Sequence, residues 1–292
     1  MKITFLGTGP AWGHPEFGCN CPACQYARVH KGRDWRRRTA LLIESSSEKL
    51  LVDCGPDIRE QLMGREARSA VDYDPIEHFD ALLITHSHTD HINGLDELSA
   101  LRRSGSCNSI PTYATDETWE EISNRFGYLA GRQGEEKLLI RRTALPGVKL
   151  VGLQFNLTPF AVEHGPTAPG AAGYIIQDEG KYTGDFYDVP IRDDRLKSPD
   201  LLIIESNWFN EPSDQPATSW HMSFQRSMAF IQEWQPSKVV LVHMSHEDFT
   251  RNPRAPLISP PPKSHDEWQR AIDQLSQGFD IEVAYDGMSL SV

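Results

Sequence analysis

Thr85-His86-Ser87-His88-Thr89-Asp90-His91 follows directly on the apolar run Ala81 to Ile84, and its reading decides the fold. Four potential metal ligands, His86, His88, Asp90 and His91, fall within these few positions. In an extended segment His86 and His88 point the same way, and a turn into a following helix swings Asp90 and His91 toward a neighbouring point. Two adjacent metal ions are therefore expected. Further candidates obey the same grammar, each closing a segment that reads as a strand: His164 after Phe160-Ala161-Val162, Asp185 after Lys181 to Gly184, and His243 after Val239 to Val242. Imidazole and carboxylate ligands together suit zinc, manganese or iron, whereas calcium takes oxygen alone. Any one of these histidines alone would read as a satisfied buried residue. Their recurrence at strand end after strand end argues for a site.

Around this motif the chain alternates strands and helices. Apolar, β-branched runs at Ile3 to Leu6, Ala40 to Ile43, Leu50 to Val52, Ala81 to Ile84, Leu150 to Phe155, Tyr174 to Ile176, Leu201 to Ile204, Val239 to Val242 and Ile281 to Ala284 predict strands. Several are continuously apolar, which predicts cover on both faces. Helices are expected at Asp90 to Arg103, Glu117 to Tyr128, His221 to Trp234 and His265 to Gln277, with Gly278 closing the last. Gln177-Asp178-Glu179-Gly180 predicts a hairpin turn. The class is α/β, a mixed sheet-based sandwich with outer helices. No repeat or linker divides residues 1–292, so one domain is expected. A proline-rich stretch at 252–263 reads as an extended surface loop.

Composition narrows the function classes. The chain has 292 residues, 24% of them charged and 39% hydrophobic, which is ordinary for a globular protein. No apolar run reaches membrane-spanning length and no secretion signal is visible, so a cytoplasmic location without a membrane partner is expected. A formal charge of -12 repels polyanions, so no stable nucleic-acid partner is expected. Arg36, Arg37 and Arg38 form a dense basic run, which reads as solvent-exposed flanks of a strand, with a phosphate-facing role as the alternative.

Cysteine usage points to a second metal. Five cysteines without a secretion signal argue against a disulfide framework. Cys19, Cys21 and Cys24 form a Cys-x-Cys-x-x-Cys cluster whose thiolates can bind one zinc with a fourth ligand, a closed and hence structural site. His246, three residues after His243, is the expected fourth ligand.

The motif His86-x-His88-x-Asp90-His91, followed in order by His164, Asp185 and His243, resembles the ligand series of the metallo-β-lactamase superfamily over nearly the whole chain. The resemblance implies an αββα sandwich of two mixed sheets. It implies His86, His88 and His164 on one metal, Asp90, His91 and His243 on the other, and Asp185 bridging. Asp53 matches an early aspartate that supports the site from behind its ligands. Two metals so placed can hold a bridging hydroxide and neutralise charge as it attacks, with no side-chain nucleophile needed. Seven ligands without a cysteine look more like phosphodiesterases and thioester hydrolases than many lactamases. The added cysteine cluster, with the ending Val283-Ala284-Tyr285-Asp286-Gly287-Met288, resembles the cyclic phosphate phosphodiesterases of the carbon-phosphorus lyase pathway. That likeness implies a small cyclic phosphodiester substrate such as a phosphoribosyl cyclic phosphate. It also implies two catalytic divalent metals (zinc or manganese), one structural zinc, His221 as general acid beside the catalytic Asp90, and a homodimer.

Three rivals stay open. One is an iron-dependent oxidative enzyme like the pyrroloquinoline-quinone biosynthesis B protein, which shares an Asn-Cys-x-x-Cys style of cluster. Another is a transfer-RNA 3′ processing nuclease, which the chain's charge opposes. The last is a non-catalytic metal-binding scaffold, which a complete ligand set opposes.

Overall fold

The computed structural model describes residues 1–64, 73–130, 137–176, 180–182, 188–191, 193–210, 220–246 and 262–292. Asp185 and positions 252–261 of the proline-rich stretch lie outside the described residues.

Among the described residues two mixed sheets face each other. The first takes β1 (Lys2–Gly7), β2 (Ala40–Glu44), β3 (Lys49–Val52), β4 (Ala81–Leu83), β5 (Ile110–Ala114) and β6 (Leu139–Thr143). The second takes β7 (Leu157–Ala161), β8 (Ala172–Ile176), β9 (Gly180–Tyr182), β10 (Leu201–Glu205), β11 (Lys238–Val242) and β12 (Ile281–Val283). The last strand, β13 (Ser289–Ser291), returns to the first sheet, giving the orders β13-β1-β2-β3-β4-β5-β6 and β12-β11-β10-β9-β8-β7. Strands β3 to β6 run parallel, as do β9 to β12, while the other half of each sheet is antiparallel.

The helices are α1 (Pro22–His30), α2 (Ile58–Met63), α3 (Thr89–Ile92), α4 (Ser99–Ser104), α5 (Asp116–Ala130), α6 (Phe224–Trp234) and α7 (His265–Leu275). They explain why the strand runs are continuously apolar. In β10, Leu201 and Ile203 face the other sheet, while Leu202 and Ile204 pack under α6 and α7 with Met228, Ile231 and Ile272. In β2, Leu41 and Ile43 join the same inter-sheet core, and Leu42 packs outward with Trp119 and Ile122 of α5. Successive residues of a strand point to opposite faces, so two-sided burial demands unbroken hydrophobicity. The result is the four-layer αββα sandwich.

Several boundaries differ from the sequence expectation. Leu150 to Phe155 is not a strand: Leu150 and Phe155 are buried, but Gly152 turns at φ 86° and the Glu48 carboxylate captures the Gln154 and Phe155 amides. The expected helix Asp90 to Arg103 is broken between α3 and α4. There Gly94 N–H bonds to the Cys54 carbonyl at 2.8 Å, and a Cβ on Gly94 would lie 2.0 Å from the Gly55 oxygen. His221 precedes α6 instead of opening it, because the Ser223 side chain caps the helix by accepting from Arg226 N–H. Strands β5 and β6 were not expected from the sequence.

Candidate metal centre

Each site residue hangs on the end of a strand or the turn beyond it. Asp53 follows β3, and His243 follows β11. Both adopt left-handed backbone, with φ of 62° and 56°, which is sparsely used by residues other than glycine. At these positions the chain turns sharply off a buried strand and aims the side chain sideways along the sandwich edge.

Two ligand clusters result. The donor atoms of His86, His88 and His164 lie within 4.8 Å of one another, and so do those of Asp90, His91 and His243. The hydrogen bonds around each ring show which nitrogen is turned to the cluster. His164 Nδ1 donates to the Trp220 carbonyl at 2.9 Å, so its Nε2 is the inward nitrogen, 3.1 Å from His88 Nδ1. His88 Nε2 faces the Thr167 hydroxyl at 3.0 Å, and His86 Nδ1 faces Thr85 Oγ1 at 3.0 Å. His91 Nδ1 donates to Asp53 Oδ2 at 2.7 Å, leaving Nε2 3.2 Å from Asp90 Oδ2; His243 Nε2 approaches the same oxygen at 3.3 Å. Outer hydrogen bonds of this kind fix the tautomer of a metal-binding histidine.

The carboxylates are tuned by their settings. Burial pushes Asp53 upward, opposed by His91 and by hydrogen bonds from the Thr85 amide and hydroxyl. Burial would also raise Asp90, but His91 and His243 outweigh it and hold the group well below the usual carboxylate range. Imidazole nitrogens and a carboxylate kept anionic form a donor set that fits divalent zinc or manganese.

The structure adds Glu205, which the sequence reading overlooked. It ends β10, is fully buried, and accepts from His221 Nδ1 at 2.5 Å while lying 3.7 Å from His243 Nδ1. The His221 ring stacks on His243 with centroids 5.1 Å apart and meets His164 edge-on at 4.8 Å. His221 thus stands over both clusters. The sequence signal is weak: Glu205 closes Leu201 to Ile204 as His243 closes Val239 to Val242, but a carboxylate there also reads as the end of a strand reaching water.

At the other expected site, donor atoms of Cys19, Cys21, Cys24 and His246 lie within 4.8 Å of one another, all four residues buried. His246 Nδ1 is 3.2 Å from Cys21 Sγ, and its Nε2 donates to Glu16 Oε2 at 2.9 Å, the outer carboxylate that orients such a ligand. Sulfur from three cysteines with one imidazole fits a tetrahedral zinc. The arginine run departs from expectation: Arg36 is only 5% exposed, donating to Thr8 Oγ1 at 3.1 Å and to the Ala284 carbonyl at 2.5 Å. Arg38 is half-buried against Asp57 at 3.1 Å.

Comparison with known proteins bears on the fold and the family. An octanoyltransferase from Porphyromonas gingivalis is 28% identical over 262 residues, covering 84% of this chain and 46% of that protein. Coenzyme PQQ synthesis protein B from Methylobacterium radiotolerans is 33% identical over 100 residues, 32% of each chain. The chain thus spans less than half the length of these curated relatives. Among solved structures, a diphosphatase from the PhnP family superposes with a TM-score of 0.74 at 24% identity, covering 100% of this chain and 97% of that one. Zinc-bound PqqB from Methylobacterium extorquens superposes with a TM-score of 0.73 at 19% identity, with 100% of both chains covered. The β-lactamase superfamily domain model matches residues 48–244, a span that opens before Asp53, encloses both ligand clusters and ends just past His243. On that match and this architecture, the chain belongs to the metallo-β-lactamase superfamily.

Proposed function

We propose that the chain is a metal-dependent phosphodiesterase acting on a small phosphodiester, compact enough to enter the edge of the sandwich, such as a ribose cyclic phosphate. The observation that carries this reading is the meeting of a three-histidine cluster and an aspartate–histidine cluster under the His221–Glu205 pair. A divalent pair bound there would supply charge neutralisation at a phosphoryl group and make water more acidic near neutral pH. His86, His88 and His164 would hold one ion and Asp90, His91 and His243 the other, with Asp185 as the bridging ligand.

The protein's own groups do the rest. Asp53 accepts the hydrogen bond from His91 Nδ1 and so turns its Nε2 toward the ligand cluster. Glu205 accepts the hydrogen bond from His221 Nδ1, which leaves Nε2 to carry a proton to the departing alkoxide. The cysteine cluster would hold a structural zinc. Manganese or zinc serves the catalytic pair, the partner is the small substrate, and a homodimer is the proposed assembly.

Metal content per chain, measured with hydrolysis of bis-p-nitrophenyl phosphate and a ribose cyclic phosphate with and without manganese, tests the proposal. About three metals with diester turnover supports it. Iron with oxygen uptake would replace it by the oxidative reading, which rests on the 100-residue likeness to coenzyme PQQ synthesis protein B.

A further inference from the structure

We propose that Arg125 grips the anionic oxygens of the substrate, so that the phosphoryl group lies against the His86–His88 side of the centre with its leaving group toward His221. The proposal rests on the phosphodiesterase reading above. Arg125 lies on α5, in the stretch between the first ligand motif and His164. Its Nη1 donates to the Ser87 carbonyl at 3.2 Å, and Ser87 sits between His86 and His88. Its Nη2 donates to Glu121 Oε2 at 3.2 Å, one turn back on the same helix.

The helix is anchored along this side of the centre at a second point. Thr115, just before α5, donates from its hydroxyl to the Gly170 carbonyl at 2.7 Å, at the end of the turn that carries Thr167. Thr167 in turn faces His88 Nε2 at 3.0 Å. Helix α5 is therefore tied both to the 86–88 loop and to the turn that carries Thr167, and Arg125 is the cation it brings to that loop. A guanidinium has five N–H donors in a planar fork. The two bonds above aim it, and a side chain 37% exposed leaves donors open to a ligand. Such a fork matches the paired oxygens of a phosphoryl group. A chain of net charge -12 gains most from a cation placed at the mouth itself.

The test compares metal-loaded wild type with Arg125→Gln and Arg125→Lys. Bis-p-nitrophenyl phosphate is the anionic probe, p-nitrophenyl acetate the uncharged one, and inorganic phosphate the ligand for calorimetry. Arg125→Gln should raise KM for the diester and the Kd for phosphate about tenfold and lower kcat to a smaller extent, with metal content unchanged. Arg125→Lys should recover part of the loss, and acetate hydrolysis should not move. Unchanged KM and Kd, absent phosphate binding, or an equal loss on both esters with loss of metal would overturn the proposal; the last would make Arg125 a prop for the Ser87 loop. Arg125-dependent phosphate binding without any diester turnover would keep the anion site and refute the phosphodiesterase reading alone.

Discussion

At the scale of single residues, the centre depends on carboxylates placed behind histidines. Glu205 is shared: it holds His221 and borders His243, so its charge serves both the proposed acid and a proposed ligand. Glu205→Gln keeps the size and removes the charge. It should lower kcat on the order of a hundredfold for an alkyl leaving group and much less for p-nitrophenolate. Rates with the two leaving groups, measured at matched metal content, check this; equal slowing would refute the role. The ligand histidines were legible in the sequence because imidazoles rarely cluster by chance. Glu205 was not, because a carboxylate after an apolar strand also reads as the place where the strand reaches water. Arg36 misled in the same way: its neighbours in sequence are charged, but its neighbours in space are Thr8, His265 and the Ala284 carbonyl.

At the scale of elements, parallel strand ends and the loops that brace them set the geometry. The segment 243–246 is tied down along its length: Met244 N–H bonds to the Thr8 carbonyl at 3.1 Å, Ser245 N–H to the Asn207 carbonyl at 3.0 Å, and His246 reaches the cysteine cluster. A zinc on that cluster would clamp the short arc that carries His243. Cys21→Ser should therefore remove one zinc per chain and lower the melting temperature, while the His86, His88 and His164 cluster keeps its metal. Metal analysis beside a thermal melt reads both effects. The break between α3 and α4 gives another expectation. Gly94→Ala places a Cβ against the backbone oxygen of Gly55, with no flexible side chain to yield, and should cost about 1–3 kcal/mol in a denaturant titration. Continuous apolar runs made the two-sided strands easy to find. The helix break was not legible, because periodicity continues through Gly94 and only the distant approach of Gly55 forbids a straight helix.

At the scale of the whole molecule, the chain's two ends meet in a buried polar network that joins β1, the start of β2, α7 and the turn before β13. Strand order and this network were illegible in sequence, since they depend on pairings such as Thr8 with Asp286, at 2.9 Å. The network carries opposing pH dependences. His265 is pushed down to about 3, by burial first and then by Arg36 and Arg33. Between pH 6.5 and 3 the unfolded chain binds that proton and the folded chain does not, so this group's contribution to stability is lost as pH falls. Asp286 is pushed up to about 6 by burial, against Arg37, Thr8 and Arg36. There the folded chain holds the proton more tightly, so stability is lost as pH rises from 3.8 toward 6. Each effect approaches about 1.4 kcal/mol per pH unit within its window. The two therefore oppose each other near pH 5 in the wild type, and single variants should separate them. Relative to wild type, His265→Gln should gain stability as pH falls below 6.5, and Asp286→Asn should gain as pH rises toward 6. Denaturant titrations at pH 4, 5, 6 and 7 give the two difference curves. Slopes of opposite sign support this account, and parallel curves would remove the network as the source of the pH response.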